Sequence, residues 1–417
     1  MTTKSDVLII GGGPVGLSCA YYLLRSGRNV TILDAKEIGK GSGSGNAGHI
    51  VPSHIIPLAA PGVVTSALKW MLDPEHSPFG MKISLNPNYL MWLLKFVLAC
   101  SEANVQRSIK PLNDIGQLSA KNFAQIIAEE KFDCSYQEKG LLFLYKTEEA
   151  FKGGQHEGEF MQKHGIPVSV YDKTKIHEVE PAALEDVIGG VHFTGDSHLN
   201  PAVFLSLLSD RVRAMGAEMC ENTPVTGFES AGRKVRVVKT ASGVFEAEHV
   251  ILAAGALTPS IVRDLKLNIP IQPAGGYSVT MSATKRMPSH ALILGERRVA
   301  VSPMGGVLRF TGRLQVGNYD MTPNPVWIQR IQNSAREYLH LDEKLDVKET
   351  WAGLRPTTPD GVPIIGHSPS HNNLIFATGH AMLGLSLGPG TGQVVTDLVN
   401  GKETAFDLRP FELGRFF

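Results

Sequence analysis

The stretch from residue 6 to residue 35 constrains the fold of this chain more than any other. Residues 6–10 form an apolar run typical of a β-strand, and glycines follow it at once. From Pro14 the apolar residues recur at helical spacing until Gly27 ends the pattern. Residues 29–33 read as a second strand, which ends on Asp34. This order predicts a βαβ unit within an α/β fold.

The turn of this unit carries the pattern G-x-G-x-x-G at Gly11, Gly13 and Gly16. In such turns the first glycine allows a tight bend, the second lets a pyrophosphate approach the backbone, and the third lets the helix pack on its strand. Free N–H groups at the helix start attract phosphate charge. Asp34 would accept hydrogen bonds from an adenosine ribose, which disfavours the 2′-phosphate of NADP. The motif predicts dinucleotide binding and leaves NAD and FAD open.

The composition is that of an ordinary globular protein. Of the 417 residues 43% are hydrophobic and 19% are charged, and 40 basic residues balance 40 acidic ones. This balance gives no indication of nucleic-acid binding. The length fits two domains, or one large domain with insertions.

The cysteines and histidines show no spacing typical of a metal site, so no metal is expected. The scattered cysteines read as isolated thiols in a reducing compartment, at positions 19, 100, 134 and 220. The first strand follows the N-terminus without an apolar leader, and no apolar run approaches the roughly 20 residues of a spanning helix. We therefore expect a cytoplasmic protein.

Three further stretches bear on organisation. Residues 37–53 are rich in glycine and serine, and read either as a surface linker or as a loop lying against a cofactor. Their place directly after the second strand favours the loop. Residues 89–98 are apolar apart from Lys95, and predict a core helix or a partly exposed face that rests on a membrane or a partner subunit. Residues 249–254 are typical of a strand in the middle of a parallel sheet.

Secondary-structure patterns in the remaining chain suggest an α+β insertion and a second, antiparallel sheet. The predicted helices are residues 112–131, 148–165, 200–215 and 327–339. The predicted strands are residues 140–145, 189–193, 276–281, 299–301 and 307–310.

Two C-terminal segments carry a family resemblance. They are WAGLRPTTPDGVPIIG at residues 351–366 and ATGHAMLGLSLGPGTGQVVTDLVNG at residues 377–401. With the opening motif, the loop SGNAGHIVP and the strand HVILAAGA, they resemble the FAD-dependent amino-acid oxidoreductases, which include glycine oxidase, sarcosine oxidase and D-amino-acid oxidase. The paired elements N-A-G at residues 46–48 and A-A-P-G at residues 59–62 resemble most the bacterial D-amino-acid dehydrogenases.

The resemblance implies an α/β FAD-binding Rossmann-like domain with an inserted α+β substrate domain built on an antiparallel sheet. The expected FAD-binding domain comprises residues 1–80, 190–270 and 350–417, and the substrate domain residues 81–189 and 271–349. The resemblance also implies FAD as cofactor. The sarcosine oxidases attach flavin through a cysteine at the position where Leu354 stands, and no cysteine is near it in sequence, so we expect non-covalent FAD.

The resemblance implies a set of cofactor-binding residues. Those for the pyrophosphate and adenosine are Gly11, Gly13, Pro14, Val15, Gly16, Asp34, Ala35, Val225, Ala254 and Gly255. Those beside the isoalloxazine are Asn46, Ala47, Gly48 and Ile50, with Gly379, Met382, Gly384, Leu385 and Ser386 in the last loop. A helix from about residue 391 would place its N-terminus where it stabilises the negative charge of a reduced flavin.

The candidate substrate residues are led by Arg355, which matches the arginine that binds the substrate carboxylate in glycine oxidase. A guanidinium offers two parallel donors to one carboxylate. The alternative is a structural arginine paired with Asp360 or Glu349. Tyr277 matches a tyrosine that faces the substrate, although a core tyrosine is equally expected in a strand.

Other candidates lie in the loops and on one strand. His49 and His54 would line the pocket as catalytic candidates, with solvated loop histidines as the alternative. His380 is expected to support its loop. Arg309 and Arg313 alternate along one strand and either reach the pocket or face solvent.

The resemblance implies oxidation of a Cα–N bond by hydride transfer to flavin N5, giving an imine and then a 2-oxo acid. The expected substrates are D-amino acids, including D-proline or D-hydroxyproline, with a quinone or another non-oxygen acceptor. An oxygen-dependent glycine or sarcosine-type oxidase is one alternative. The other is a flavin subunit of a larger dehydrogenase complex, in which residues 89–98 form a docking surface.

Overall fold

The computed structural model describes residues 2–72, 77, 79–82 and 84–417. In chain order its strands are β1 (Thr2–Ile10), β2 (Val30–Leu33), β3 (His49–Ile50), β4 (Phe79–Met81), β5 (Leu141–Tyr145), β6 (Val168–Asp172), β7 (Gly189–Phe193), β8 (Ser197–His198), β9 (Glu218–Cys220), β10 (Val225–Ala231), β11 (Lys234–Thr240), β12 (Gly243–Leu252), β13 (Gln272–Ser282), β14 (Ala291–Leu294), β15 (Val299–Pro303), β16 (Val307–Val316), β17 (Val347–Thr357), β18 (Ile364–His367) and β19 (Leu374–Thr378). Its helices are α1 (Pro14–Arg25), α2 (Val63–Leu72), α3 (Pro87–Ala99), α4 (Glu102–Glu130), α5 (Glu148–Lys163), α6 (Lys173–Val179), α7 (Pro201–Ala214), α8 (Thr258–Ile261), α9 (Pro325–Arg336) and α10 (Gly388–Val399).

The first sheet is built around β1, which lies parallel to β2 on one side and to β12 on the other. The order is β10-β11-β12-β1-β2-β9, and β19 adds to β12 in parallel. The apolar strand predicted at residues 249–254 is therefore the end of β12, in the middle of a parallel arrangement. Helices α1, α7 and α10 bury their apolar faces in one core cluster on this sheet, which completes the Rossmann-like half of the predicted fold.

The second sheet follows the order β17-β13-β16-β15-β14-β5-β7-β6. Its strands run antiparallel to their neighbours except at the parallel pair of β14 and β5. The short strand β4 also belongs to this sheet and adds to β16 in parallel. Helix α9 covers one face, where Ile328, Ile331 and Ala335 pack with apolar residues of β13 and β16. The antiparallel sheet predicted for the second half of the fold is thus present, and its other face is free to form a site.

Helix α4 begins ten residues before the predicted helix at residue 112. Ser101 caps it by accepting a hydrogen bond from the Asn104 backbone N–H at 3.3 Å, and the helix continues through Pro111. Ile115, Phe123 and Ile126 join the core cluster of the first sheet. In the domain division expected from the sequence, residues 81–189 belong to the substrate domain, whereas α4 packs on the other half of the fold. The division stays a proposal.

A short antiparallel ribbon of β3 and β8 links loop residues of the two halves, with His49 opposite His198. This ribbon fixes the loop that follows the second strand of the βαβ unit. Among the described residues, no helix combines the length and the apolar character needed to cross a bilayer.

Candidate active site

A cavity of about 1260 Å³ lies between the two sheets. The glycine-rich turn and the end of β2 line it at one end, and residues of the second sheet line the other. Loop residues 41–47 and the last loop, residues 380–385, complete the wall. The cavity therefore joins the predicted dinucleotide motif with the predicted substrate residues in one continuous space.

The glycines of the turn differ in what their backbone requires. Gly11 has φ +108°, and a Cβ there would lie 2.5 Å from the carbonyl oxygen of Ala253. A Cβ on Gly16 would collide with the Gly11 carbonyl, so this glycine allows α1 to pack on its strand. At Gly13 a Cβ would meet no protein atom within 4 Å, which leaves open space beside the start of α1 for a phosphate group.

Asp34 lies at the end of β2 and faces the glycine-rich turn. Its Oδ2 accepts a hydrogen bond from the Gly12 N–H at 2.7 Å, and its Oδ1 accepts one from the Lys36 N–H at 2.8 Å. Burial raises the pKa of the carboxyl group, and the two backbone hydrogen bonds oppose this effect. Asp34 is thus held at the cavity wall with capacity to accept further hydrogen bonds from a ribose.

The glycine-serine loop is ordered by contacts to both halves of the fold. Asn46 donates from Nδ2 to the Met382 carbonyl at 3.2 Å, while its Oδ1 accepts from the Gly48 N–H at 2.8 Å. Buried Arg309 donates from Nη1 to the carbonyls of Ser44 and Asn46 at 2.8 and 3.0 Å. It also pairs with Glu349 at 3.0 Å. Arg309 therefore holds the loop and does not line the cavity.

Most of the predicted cofactor residues line the cavity. These are Gly11, Gly13, Pro14, Val15, Asp34, Ala35, Asn46, Ala47, Val225, Ala254, Gly255, Met382, Gly384 and Leu385. The others support the wall from behind, because they pack on neighbouring backbone or belong to the core. These are Gly16, Gly48, Ile50, Gly379 and Ser386.

The last loop ends at α10, which begins at Gly388 rather than near residue 391. Buried His380 contacts Thr391 through its Nε2, 3.0 Å from Oγ1. Burial lowers the pKa of His380 to about 3, so the ring is neutral. This contact agrees with the prediction that His380 supports its loop. His380 also forms part of the cavity wall.

The second sheet contributes a row of six residues, one from each of six neighbouring strands, in which each residue is paired with the next. In order across the sheet these are Phe143, Ile293, Ala300, Thr311, Ser278 and Trp351. All of them except Ser278 line the cavity. Trp351 and Thr311 were not among the predicted site residues. The indole of Trp351 lies against both Gly45 and Gly353, where any Cβ would collide with it, and this glycine–aromatic packing has no recognisable sequence spacing.

Arg355 lies on β17, four residues after Trp351, and lines the cavity. Its Nη1 donates to the carbonyls of Arg313 and Gly275, at 2.7 and 3.3 Å. No ion pair joins it to any described residue. Burial lowers its pKa to about 10, so the group remains cationic at neutral pH. A half-buried guanidinium whose partners in the described chain are neutral carbonyls attracts an anionic ligand.

The alternative, a structural ion pair of Arg355 with Asp360 or Glu349, does not occur. Arg415 binds Asp360, with Nε 2.7 Å from Oδ2, and Arg309 binds Glu349. Arg313 does line the cavity, but its Nη1 donates to the carbonyls of Ser77 and Phe79, at 2.8 and 2.7 Å. Its guanidinium carbon also lies 3.6 Å from the centre of the Trp327 ring.

Tyr277 does not face the cavity, so the structure does not agree with the prediction that it faces the substrate. Side chains alternate along β13, and a Cβ on Gly276 would collide with the Arg355 guanidinium, which puts Tyr277 on the opposite face. There its ring is 4% exposed and packs in the core beneath α9. The structure therefore supports the alternative in which Tyr277 is a core residue.

His49 and His54 both line the cavity. His49 Nε2 lies 2.8 Å from Ser302 Oγ, and His54 Nδ1 lies 3.4 Å from Ser53 Oγ. Burial, together with nearby His198 and His54, lowers the pKa of His49 to about 3. Burial and the charge of Arg298 lower the pKa of His54 to about 4. Both rings are therefore neutral, and their half-buried positions on the cavity wall agree with the prediction that they line the pocket.

The residues present fit FAD. The open space at Gly13, the acid at Asp34 and the long cavity that ends at a cationic arginine match a dinucleotide joined to a flavin and a carboxylate substrate. None of the cysteines lines the cavity.

Comparison with known proteins gives a consistent result. The family described as FAD dependent oxidoreductase matches residues 6–398. The chain is 32% identical to a D-amino acid dehydrogenase of Paramagnetospirillum magneticum and 30% identical to one of Methylobacterium radiotolerans. These alignments cover 98% of this chain, and 98% and 99% of the relatives.

Solved structures show the same fold. Glycine oxidase from Geobacillus kaustophilus superposes with a TM-score of 0.78 at 25% identity, over 99% of this chain and 98% of the other. L-proline dehydrogenase from P. horikoshii superposes with a TM-score of 0.76 at 22% identity, over 100% and 98%. Since the family match spans nearly the whole chain and agrees with the site, the chain belongs to the FAD dependent oxidoreductases of the DAO family.

Proposed function

We propose that this chain oxidises D-amino acids at the Cα–N bond and passes the electrons to an acceptor other than oxygen. The observation that carries the proposal is Arg355, a half-buried cation on the cavity wall with no carboxylate partner among the described residues. The names of two similar relatives, D-amino acid dehydrogenases at 32% and 30% identity over 98% of this chain, support the D configuration.

In this proposal the protein acts mainly by positioning. Arg355 binds the substrate carboxylate with two N–H donors, which fixes the orientation of Cα. Bulk water is excluded from the same space by two groups of side chains. These are the neutral rings of His49 and His54, and the apolar residues Phe143, Ile293 and Ala300. Non-covalently bound FAD supplies the hydride acceptor. The product imine is hydrolysed to a 2-oxo acid and ammonia, or remains a cyclic imine when the substrate is D-proline or D-hydroxyproline.

Helix α3 supports the choice of a quinone or protein acceptor at a membrane or partner surface. Its inner residues Trp92 and Phe96 line the cavity. Its outer residues are apolar and exposed, namely Leu90, Met91, Leu94 and Leu98, and Leu85 precedes it. Val97 is exposed as well and also lines the cavity. An apolar face of this kind is typical of a contact surface. We therefore propose a cytoplasmic protein that rests on the inner face of the membrane through α3.

Two alternatives remain, each with its own support. An oxygen-dependent oxidase of the glycine or sarcosine type is supported by the structural likeness to glycine oxidase. A flavin subunit of a larger dehydrogenase complex is supported by the same exposed face of α3, which would then bind the partner subunit.

The deciding experiment is anaerobic mixing of the purified yellow protein with D- and L-amino acids, glycine and sarcosine, followed by flavin absorbance. Bleaching by a D-amino acid that persists after air is admitted supports the dehydrogenase. Rapid recovery of the yellow colour in air favours the oxidase. If no amine bleaches the flavin, the proposal is overturned and the complex subunit is favoured.

A further inference from the structure

Asp196, in the turn between β7 and β8, is a buried carboxylate with no role in the positioning of the substrate described above. Its side chain is 2% exposed, and no ion pair links it to any residue that the structure describes. Within the part of the chain that the structure describes, its two oxygens accept hydrogen bonds only from Ser53: from the N–H to Oδ1 at 3.1 Å and from the Oγ–H to Oδ2 at 2.6 Å. Carboxylates are seldom buried without a cation, so this group requires an explanation.

Ser53 connects Asp196 to the cavity. Its Oγ lies 3.4 Å from Nδ1 of His54, and His54 lines the same cavity as Arg355. Because the Ser53 hydroxyl donates its hydrogen to Asp196, its oxygen is available to accept the Nδ1–H of His54. This direction leaves His54 Nε2, for which no described residue provides a partner, as a proton acceptor toward the cavity. The contact at 3.4 Å is long, as catalytic hydrogen bonds often are before substrate binds.

We propose that Asp196 accepts the proton that a substrate ammonium loses before oxidation, through His54 and Ser53. The proposal rests on the proposed amino-acid oxidation. The ammonium N–H bond breaks and its proton passes, directly or through cavity water, to His54 Nε2. The Nδ1 proton moves to Ser53 Oγ, and the Ser53 hydroxyl proton moves to Asp196 Oδ2. The amine nitrogen gains a free electron pair, and one O–H bond forms at Asp196. His54 contacts the cavity, while Ser53 and Asp196 act through it.

The acid–base properties along the path favour Asp196 over His54 as the group that holds the proton. Burial raises the pKa of Asp196 to about 7, and the hydrogen bonds from Ser53 limit the rise. Burial and Arg298 lower the pKa of His54 to about 4, so a proton does not stay on the ring. The other titratable groups around this path are His49 and His198 on the ribbon, Lys139 before β5, and His156 and Glu157 on α5. None of these is hydrogen-bonded to Asp196 or Ser53 within the described chain.

The substitution Asp196→Asn tests the path because it changes the direction of the hydrogen bonds. The Asn amide oxygen can still accept from the Ser53 N–H, but its NH₂ then donates to Ser53 Oγ. The Ser53 hydroxyl is turned toward His54 Nδ1, which moves the imidazole hydrogen to Nε2 and blocks proton acceptance from the cavity. We expect kcat/KM for a D-amino acid to fall about 100-fold or more at neutral pH. The rising limb of its pH profile, with a midpoint near that of Asp196, should disappear. Ser53→Ala should behave in the same way.

A matched control is Glu180→Gln. Glu180 is also a fully buried carboxylate, and it accepts hydrogen bonds from the backbone N–H groups of Ser289 and His290, away from the cavity. Unlike Asp196 it also contacts an imidazole, with Oε2 3.1 Å from His290 Nδ1. This variant should keep the wild-type pH profile, even if it is less stable. A profile that is unchanged in Asp196→Asn, or lost equally in Glu180→Gln, overturns the proposal.

Infrared difference spectroscopy of the holoenzyme provides a readout that does not depend on turnover. A C=O stretch of a buried carboxylic acid should appear as the pH falls through about 7, be absent in Asp196→Asn, and shift in Ser53→Ala. If the wild type oxidises no amino acid, the proposed function fails, and the proton acceptor with it, even where this band is present. If the wild type is active but the band is absent, only the proton acceptor is overturned.

Discussion

Arg415 binds both oxygens of Asp360, with Nε 2.7 Å from Oδ2 and Nη2 3.2 Å from Oδ1. Asp360 follows Arg355 by five residues and is the nearest carboxylate after it in the sequence. Asp360 is thus paired with Arg415 and forms no ion pair with Arg355. The C-terminal segment that carries Arg415 lies outside the cavity lining.

Replacing Arg355 tests its role as the carboxylate anchor. Arg355→Leu removes two charge-assisted hydrogen bonds to the substrate, each worth roughly 1.5–3 kcal/mol, so kcat/KM should fall by at least about 100-fold. FAD should remain bound, since the pyrophosphate and ribose contacts lie at the other end of the cavity. Arg355→Lys should recover only part of the loss, because an ammonium lacks the planar fork.

Steady-state kinetics measure the expected fall in kcat/KM, and the flavin spectrum of the desalted protein shows whether FAD remains bound. Arg409→Leu is a suitable control, since Arg409 is an exposed arginine paired with Asp407. Unchanged kinetics in Arg355→Leu would remove the observation on which the proposed function rests.

Asp34→Ala should weaken FAD binding without abolishing the fold. The substitution removes the acceptor for the Gly12 and Lys36 N–H groups and for the ribose, so the Kd for FAD should rise roughly 10-fold to 100-fold. The measurement is the flavin content after desalting, followed by titration with FAD. Asp6→Ala is the control, because Asp6 accepts a backbone hydrogen bond from Asn29 on the same sheet without lining the cavity. Equal flavin content in both variants would contradict the assignment.

The sequence predicted the Rossmann-like half well because each of its constraints is local. Gly11, Gly13 and Gly16 fulfil different steric requirements within one turn, and Asp34 follows at a fixed distance along the chain. The two sheets and the position of Arg355 on the cavity wall also agree with the prediction. The family resemblance supplied the carboxylate role of Arg355, which nothing in the local pattern indicates.

Other parts of the site depend on long-range contacts, which the sequence does not contain as a pattern. The family motif leaves Tyr277 between a pocket position and a core position, and only the neighbouring Gly276, which faces Arg355, shows that strand alternation puts Tyr277 in the core. Trp351 and Asp196 were missed because their partners, Gly45 and Ser53, are far away in the chain. Helix α4 begins before its predicted start because a capping serine precedes Pro111 by ten residues.

Gly13→Ala should separate cofactor binding from folding. The backbone of Gly13 has φ −78°, which alanine adopts without strain, and a Cβ would meet no protein atom. The methyl group would instead occupy the space that we assign to the pyrophosphate. We therefore expect a thermal unfolding temperature of the apoprotein close to that of the wild type, together with a clear loss of FAD affinity.

Gly11→Ala is the contrasting variant. Its positive φ and its contact with the Ala253 carbonyl should destabilise the apoprotein by about 1 kcal/mol or more. If Gly13→Ala bound FAD normally, the phosphate would have to lie elsewhere.

The exposed face of α3 should bind lipid if the proposed acceptor is a membrane quinone. Leu94 and Leu98 are 53% and 70% exposed, so the double substitution Leu94→Glu with Leu98→Glu should not disturb the core. We expect it to abolish co-sedimentation with anionic vesicles while activity with a soluble dye acceptor is retained. Val170→Glu, at another exposed apolar residue, is the control. Vesicle binding that persists in the double variant would exclude α3 as the contact.

The pH dependence of stability should reveal Asp196. Its pKa is raised from 3.8 to about 7, so the folded state binds the proton more tightly than the unfolded state. The stability that Asp196 contributes through this proton is therefore complete below pH 3.8 and is lost as the pH rises through about 7. The loss lowers the free energy of unfolding by about 4 kcal/mol. The buried histidines act in the opposite sense, because their pKa values are lowered, so the wild-type curve alone does not isolate Asp196.

The difference between Asp196→Asn and the wild type does isolate it, since both proteins contain the same histidines. We expect the asparagine variant to gain stability relative to the wild type between pH 4 and pH 8, by a large part of that 4 kcal/mol, when urea unfolding is measured at each pH. Glu180→Gln should not reproduce this gain. A difference that stays constant over this range would mean that Asp196 is ionised throughout, and it would then be unable to release and accept a proton near neutral pH.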